Sequence, residues 1–72
     1  MREFHIEDRD AGIIVLQGTI AADGTLRVGE VHPTLRPDRI PTLLEAVRRD
    51  LAEGHSGGQI PQWRLEWFER LS

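Results

Sequence analysis

The chain has 72 residues, of which 39% are hydrophobic, and it contains no cysteine. This length allows one small domain and excludes a two-domain enzyme, and the lack of cysteine excludes disulfide bonds and thiolate metal sites. Twelve acidic and nine basic residues give a formal net charge of −3. That balance argues against a surface that tracks nucleic-acid phosphates, so we do not expect nucleic acid as the main partner.

The apolar segments are too short to cross a membrane, since the longest uninterrupted one is Ile13–Leu16. The first residues also lack the apolar stretch of a secretory signal. We therefore expect a cytoplasmic protein that forms a single domain over residues 1–72 and makes no membrane contact.

The first third of the chain has the periodicity of strands. Phe4 and Ile6 alternate with polar residues, which predicts a strand with one solvated face. A turn over residues 8–12 follows, and the β-branched segment 12–21 predicts a second strand. Residues 25–31 predict a third strand, joined to the second by a hairpin at Ala22-Asp23-Gly24.

The length of this hairpin loop decides which side chains share a face. A two-residue turn would set Ile20 opposite Arg27, whereas a three-residue loop with Gly24 in the left-handed conformation sets Ile20 opposite Leu26. The same loop sets Gly18 opposite Val28. We prefer it because it keeps one face apolar, although it predicts that Glu30 lies opposite Leu16.

The second strand is apolar on both faces. Strict alternation predicts that Ile13 and Val15 project from the face opposite to Ile14 and Leu16. One helix cannot cover both faces of a sheet. The second face must therefore be covered by the C-terminal tail or by another chain.

A loop with two prolines, residues 32–37, leads to a predicted helix that ends at about Glu53, before Gly54. Asp38 is the expected N-cap, and Thr42 with Glu45 offers an alternative start as a capping box. The apolar face of this helix consists of Ile40, Leu43, Leu44, Val47 and Leu51. The opposite, solvated side is predicted to carry Arg48, Arg49, Asp50 and Glu53.

The last part of the chain has two interpretations. Residues 55–59 have the composition of a flexible linker. Beyond them, Trp63, Leu65 and Trp67 alternate as in a strand, but Trp63 and Trp67 also fall on one helical stripe. We favour a strand over residues 62–68, because aromatic side chains suit pleated surfaces.

The resulting fold class is α+β, an antiparallel sheet in the order β-β-β-α-β with one helix packed on one face. The hairpin around Asp23-Gly24, the helix that follows it and the late Gly58-Gln59-Ile60-Pro61 resemble the C-terminal domain of the TonB energy-transducing proteins. That resemblance implies a β-β-α-β element order. The family's membrane anchor and proline-rich spacer have no counterpart in these residues, so no function is transferred from it.

Three short patterns suggest chemistry, and each has a simpler structural explanation. Residues 54–58 match the G-x-S-x-G nucleophile elbow, but Ser56 follows a predicted helix and no Asp or His comes after it. The three histidines lack the local spacing of a metal site. Asp8 and Asp10 resemble the start of a calcium loop that lacks its final glutamate. We expect no catalytic residues, no metal and no cofactor.

These observations predict a small non-enzymatic module that binds another protein, as an adaptor, regulator or inhibitor, and that can self-associate as a homodimer. The predicted partner-binding residues are Ile13, Val15, Trp63 and Trp67, because tryptophans are enriched at the centres of protein interfaces. The alternative function of the tryptophans is to complete the core.

Two other classes of function stay open at this point. One is a nucleic-acid-binding accessory protein that uses Arg27, Arg36, Arg39, Arg48 and Arg49. The other is a small oligomeric enzyme or ligand-binding domain with a pocket between chains, near His32 or Glu30.

Overall fold

The observed strands and helix lie close to the segments that apolar periodicity predicts. The computed structural model describes residues 1–71. Its elements are β1 (Arg2–Asp8), β2 (Ile13–Ile20), β3 (Leu26–Val31), α1 (Ile40–Ala52), β4 (Gly57–Ile60) and β5 (Leu65–Leu71), with short 3-10 helices at Pro37–Arg39 and Pro61–Trp63. The strands form one antiparallel sheet in the order β3-β2-β1-β5-β4. The predicted α+β class is confirmed, with one strand more than expected.

One cluster of apolar side chains fills the space between α1 and the sheet. Leu43 and Val47 of α1 are fully buried, as are Phe4, Ile6 and Trp67 of the central strands. The other members of the cluster are Val15, Leu16, Ile20, Leu35, Ile60 and Leu65. Burial of each large apolar side chain stabilises the fold by about 1.5–3 kcal/mol. We call this side of the sheet the helix face and the other side the open face.

The β2–β3 hairpin has the predicted register. Ile20 lies opposite Leu26, and Gly18 lies opposite Val28. Gly24 takes the left-handed conformation with a φ of 89°. Asp23 closes the loop, because its Oδ1 accepts a hydrogen bond from the backbone N–H of Thr25 at 3.0 Å. Hydrogen bonding to Thr25 holds the pKa of the Asp23 carboxyl below its ordinary value of 3.8.

A β-bulge in β2 changes the predicted faces of its apolar residues. The partners of Ile14 and Leu16 on β1 are consecutive residues, so Val15 is an extra residue in the ladder. Val15 is 4% exposed and belongs to the core, and Ile13 packs against the core as well. The prediction that Ile13 and Val15 share a face opposite to Leu16 is therefore wrong.

A second bulge, in β3, corrects the predicted position of Glu30. Gly29 has no partner on β2, so Glu30 lies opposite Gln17, and Val31 takes the position opposite Leu16. The carboxylate of Glu30 is thereby moved to the open face, and the apolar Val31 is placed on the helix face. The prediction that Glu30 lies opposite Leu16 is wrong because it assumed unbroken alternation.

Helix α1 ends as predicted and begins differently. Gly54 follows its last turn with a φ of 84°, a left-handed conformation that glycine adopts without strain. The N-cap residue is Arg39, with no side-chain hydrogen bond to the helix. Asp38 lies one residue before this N-cap, in the 3-10 helix, where its carboxylate is 3.3 Å from Arg36 Nε. The prediction of Asp38 as the N-cap is wrong because this 3-10 turn leads into the helix.

The C-terminal tail contains the predicted strand, shifted toward the end of the chain. Arg64 takes a left-handed conformation, with a φ of 57°, between the second 3-10 helix and β5. This turn prevents Trp63 and Trp67 from lying on one helix. The linker prediction for residues 55–59 is wrong in its second half, because residues 57–59 belong to β4 and pair with β5.

The two layers are joined by a hydrogen bond in the middle of the domain. Trp67 is fully buried, and its indole N–H donates to Oδ2 of Asp50 on α1 at 2.7 Å. Asp50, predicted to be solvated, is half-buried. Gly58 lies beside this contact, and a Cβ there would come within 2.5 Å of the Asp50 carboxylate. Because Gly58 has no side chain, there is room for the Asp50 carboxylate and its hydrogen bond to Trp67.

We predict that Gly18→Ala destabilises the domain by about 1–3 kcal/mol, the usual cost of overpacking. A Cβ at Gly18 would overlap the carbonyl oxygen of Arg27 and would lie 2.9 Å from Cε1 of Phe4. Gly29→Ala is the matched control, since its Cβ would meet only Gln17 O at 3.4 Å and the Gly18 Cα at 3.8 Å. Urea unfolding followed by tryptophan fluorescence measures both variants. Equal unfolding free energies for the two would contradict the close packing at Gly18.

A second prediction concerns the hydrogen bond between the layers. Asp50→Ala leaves the buried indole N–H of Trp67 without an acceptor, so we expect a loss of about 1.5–3 kcal/mol in unfolding free energy. Asp50→Asn retains an acceptor oxygen and is expected to lose less. Glu53→Ala is the control, because Glu53 is exposed and its carboxylate lies 3.7 Å from His55 Nε2. A loss for Glu53→Ala as large as for Asp50→Ala would refute the assignment.

The third prediction uses the ion pair between the first and last strands. Arg2 Nε lies 2.7 Å from Glu69 Oε2, and Arg2 Nη2 lies 3.0 Å from Oε1. The hydrogen bond from Arg2 holds the pKa of Glu69 below its ordinary value of 4.5, against the opposing effect of burial. A carboxyl with a lowered pKa stabilises the fold above its unfolded-state pKa, and this contribution disappears as pH falls below that value.

Glu69→Gln should therefore reduce stability at neutral pH and flatten the decline of stability below about pH 4.5, measured by thermal unfolding over a pH series. Residual acid sensitivity is expected from Asp23, whose pKa is lowered as well. The control, Glu45→Gln, removes an exposed carboxylate that pairs with Arg48 at 2.8 Å, and it should leave the pH profile unchanged. An unaltered profile in Glu69→Gln would contradict the role of this ion pair.

Candidate functional site

The open face of the sheet carries the polar side chains that face away from α1. Cross-strand pairs define it, because residues opposite one another on adjacent strands point to the same side. Its residues are Glu3, His5, Glu7, Ile14, Gln17, Thr19, Arg27, Glu30, Gln59, Glu66, Phe68 and Arg70. Both tryptophans lie elsewhere: Trp67 is in the core and Trp63 packs against it. This face is the candidate functional site.

A stacked aromatic pair lies at the centre of the open face. His5 of β1 is opposite Phe68 of β5, and the two rings stack with centroids 5.3 Å apart and planes 13° apart. Gln17 of β2 is the neighbour of His5 on the other side. These flanking side chains leave His5 only 8% exposed. An imidazole on a nominally solvated strand face is thus nearly as buried as the core.

His5 also has an unsatisfied polar atom. Nδ1 is buried and makes no hydrogen bond within residues 1–71. A buried polar nitrogen without a partner is destabilising by about 1–3 kcal/mol, and such groups are few in native structures. Because imidazole nitrogens donate or accept according to tautomer, Nδ1 can bind either kind of group. Because Nδ1 has almost no accessible surface, an external group can reach it only if the imidazole ring or the side chains that cover it move.

A shallow hollow adjoins His5 on the side of β2 and β3. Its volume is about 290 Å³, and its lining residues are Glu3, His5, Gln17, Gly18, Thr19, Gly29 and Glu30. The bulge residue Gly29 brings no side chain into this space. The hollow is large enough for one side chain of a partner, and carboxylates at Glu3 and Glu30 form part of its rim.

The charges of the open face are unbalanced. The surface carries four glutamates and two arginines. One of the glutamates, Glu66, pairs with Arg9 from the neighbouring turn at 3.1 Å. Among residues 1–71, Glu3, Glu7 and Glu30 form no ion pair. Glu7 and Glu30 have no arginine opposite them on a neighbouring strand, whereas Glu3 lies opposite Arg70. The electrostatic field of this face favours a basic ligand over an acidic one.

The four predicted partner-binding residues are not on the open face. Val15 and Trp67 are 4% and 0% exposed in the core, and Ile13 and Trp63 are half-buried beside it. Arg39 covers the Trp63 ring with its guanidinium carbon 5.0 Å from the ring centroid. Of the four, only Ile13 and Trp63 retain accessible surface of any size. A role of these residues in partner binding stays a prediction.

The motifs with a suggested chemistry are separated in the fold. Within residues 1–71, no group of three or more His, Asp or Glu side chains is arranged to hold a metal ion. Asp8 Oδ1 instead accepts the backbone N–H groups of Asp10 and Ala11, which closes the acidic turn. Ser56 precedes a strand, and its carbonyl oxygen accepts a hydrogen bond from Glu69 N. That position is unlike a nucleophile elbow, in which a strand comes first.

The arginines proposed for nucleic-acid binding do not form one surface. Arg27 lies on the open face, whereas Arg39, at the N-terminus of α1, covers Trp63. Arg36 and Arg48 pair with Asp38 and Glu45 at 3.3 and 2.8 Å. A basic stripe of the kind that follows a phosphate backbone is not formed by these residues.

A larger hollow lies elsewhere on the described chain. It has a volume of about 570 Å³ and opens between the β2–β3 hairpin loop and the C-terminal half of α1. Two arginines line it, Arg2 and Arg48, but both guanidinium groups are already paired with glutamates. This hollow therefore has less to offer a charged ligand than the open face.

The sequence predicts that His5 is solvated, and its burial could not be found from local pattern. Alternation places His5 on the outer face of β1, and this placement is correct. Its burial depends on Phe68, which comes from the other end of the chain. The one available signal is the presence of Phe68 on the face of β5 opposite to Trp67, which indicates an apolar contact on the outer surface.

Comparison with protein-family models, with curated proteins and with solved structures finds no match for this chain. The resemblance to the TonB domain is thus one of element order alone. No helix within residues 1–71 has the length and apolar character required to cross a membrane.

Proposed function

We propose that this domain is a protein-binding module and that its open face binds a basic segment of a partner protein. The observation that carries the proposal is the excess of carboxylates on an uncovered sheet face, where Glu3, Glu7 and Glu30 form no ion pair within residues 1–71 and lie on the same face as the stacked His5 and Phe68 rings.

The charge of the surrounding residues indicates the chemistry of the partner. Glu3, Glu7 and Glu30 surround the stacked rings without ion-pair partners within residues 1–71. Lysine or arginine side chains on a partner would pair with these carboxylates, and the alkyl parts of those side chains would cover the Phe68 ring. The hollow beside His5 has room for one such side chain. Adaptor, regulator and inhibitor roles are all compatible with this mode of binding.

The proposal is tested by affinity capture from the native host with matched variants. Wild-type domain, Glu3→Gln/Glu7→Gln and Glu45→Gln/Glu53→Gln are immobilised at equal density. The last pair is the control, because it removes the same charge from exposed positions on and just beyond α1. We expect a protein that is retained by wild type and control, is released by added salt, and is reduced at least tenfold on the open-face variant. Tenfold in affinity corresponds to about 1.4 kcal/mol.

Two results would overturn the proposal. One is equal retention of every protein by all three baits. The other is loss of the captured material on nuclease treatment, which would favour the nucleic-acid alternative. Circular dichroism of the variants checks that the fold is intact before capture.

A further inference from the structure

The outer edge of β3 differs from the other edge of the sheet. β4, at the opposite edge, has only four residues, is followed by Pro61, and lies beside α1, all features that discourage pairing with another strand. β3 has six residues and contains neither lysine nor proline. Its outer N–H and C=O groups face no strand formed by residues 1–71, so it is the edge available for pairing.

The exposed side chains of β3 are apolar on one face and charged on the other. Val28 and Val31 are 36% and 39% exposed at the margin of the helix face. Arg27 and Glu30 lie on the open face, and neither forms an ion pair within residues 1–71. Two opposite charges close together on one edge, both unpaired, suggest that their partners come from outside the chain.

We propose that the outer edge of β3 binds the same edge in a second copy of this chain, with antiparallel pairing about a two-fold axis between Val28 and Gly29. In this register Arg27 of each copy lies opposite Glu30 of the other, and Leu26 lies opposite Val31. Two cross-strand ion pairs and two apolar pairs result. Opposite charges in such cross-strand positions favour the pairing of the two strands.

The bulge at Gly29 makes this register consistent with the faces of the sheet. Residues opposite one another in a ladder must point to the same side, which strict alternation would forbid for Arg27 and Glu30. Gly29 is the extra residue, and it places both of these side chains on the open face. Val28 then lies opposite Gly29 of the other copy, which has no side chain to oppose it. In a strand without the bulge, Arg27 and Glu30 would point to opposite faces of the sheet and could not lie opposite one another in this register.

The pairing is closed, because it uses one β3 edge from each copy and leaves only the two short β4 edges. Both open faces then lie on the same side of one continuous sheet. The contact is small, so we expect a weak dimer whose fraction rises with protein concentration. Glu30 takes part in both proposals, but this inference does not depend on the partner proposed above, since its test uses purified protein alone and leaves Glu3 and Glu7 unchanged.

Charge reversal tests the proposed register by sedimentation equilibrium over a concentration series. Wild type is expected to form dimers. Arg27→Glu and Glu30→Arg each place like charges opposite one another and are expected to be monomeric under the same conditions. An equimolar mixture of the two variants restores both ion pairs and should form the heterodimer. The double variant Arg27→Glu/Glu30→Arg should dimerise by itself, because both of its pairs are again complementary.

Arg49→Glu, on the outer surface of α1, is the control for a change of net charge and should dimerise as wild type does. Circular dichroism and tryptophan fluorescence check the fold of each variant. The proposal is overturned if the wild type stays monomeric over the whole concentration series. It is also overturned if the single variants dimerise as the wild type does, or if their equimolar mixture remains monomeric. If one single variant fails to fold, the other single variant, expected to be monomeric, and the double variant, expected to dimerise, still test the register.

Discussion

A single indole N–H connects the helix layer to the sheet. Trp67 lies on β5, opposite Ile6 of β1 and Gly58 of β4, and its donor reaches Asp50 on α1. The polar end of the largest core side chain is thereby satisfied inside the domain, so the tryptophan can be buried completely. This hydrogen bond and the apolar cluster between the layers together hold α1 against the sheet, and the glycine at residue 58 leaves room for the Asp50 carboxylate. Once α1 is fixed there, the opposite face of the sheet has no helix to cover it.

The uncovered face determines the rest of the functional inference. A core of this size can be closed on one side only, because the chain is short and has one helix. The open face is polar at its margins, but His5 and Phe68 make its centre more buried than a solvent-facing sheet requires. The two bulges arrange this surface, since they move Val15 toward the core and Glu30 away from it.

Much of the fold could be predicted from the sequence because its determinants are local. The register of the β2–β3 hairpin depends on Gly24 and on keeping one face apolar, and the end of α1 depends on Gly54. The bulge at Val15 could not be predicted, since an extra residue leaves no mark in a β-branched segment, whereas the glycine at residue 29 inside a strand was an available sign of the second bulge. β4 was not predicted because its two glycines are typical of linkers. In the structure, one of them, Gly58, makes room for the contact between Asp50 and Trp67. The burial of His5 was not predicted because it is produced by Phe68, on a strand distant in sequence.

The order of the strands has a kinetic consequence. β1 and β5 are neighbours at the centre of the sheet, with Arg2 opposite Leu71, so the innermost ladder joins segments from opposite ends of the described chain. Such contacts form late, because the entropy of closing the longest loop must be lost before any of them is gained. A chain in which β5 has not yet paired would expose the edge of β1 together with Phe4 and Ile6, and an exposed apolar edge of this kind favours aggregation. The rate at which the last strand docks therefore sets how long the chain remains vulnerable during folding.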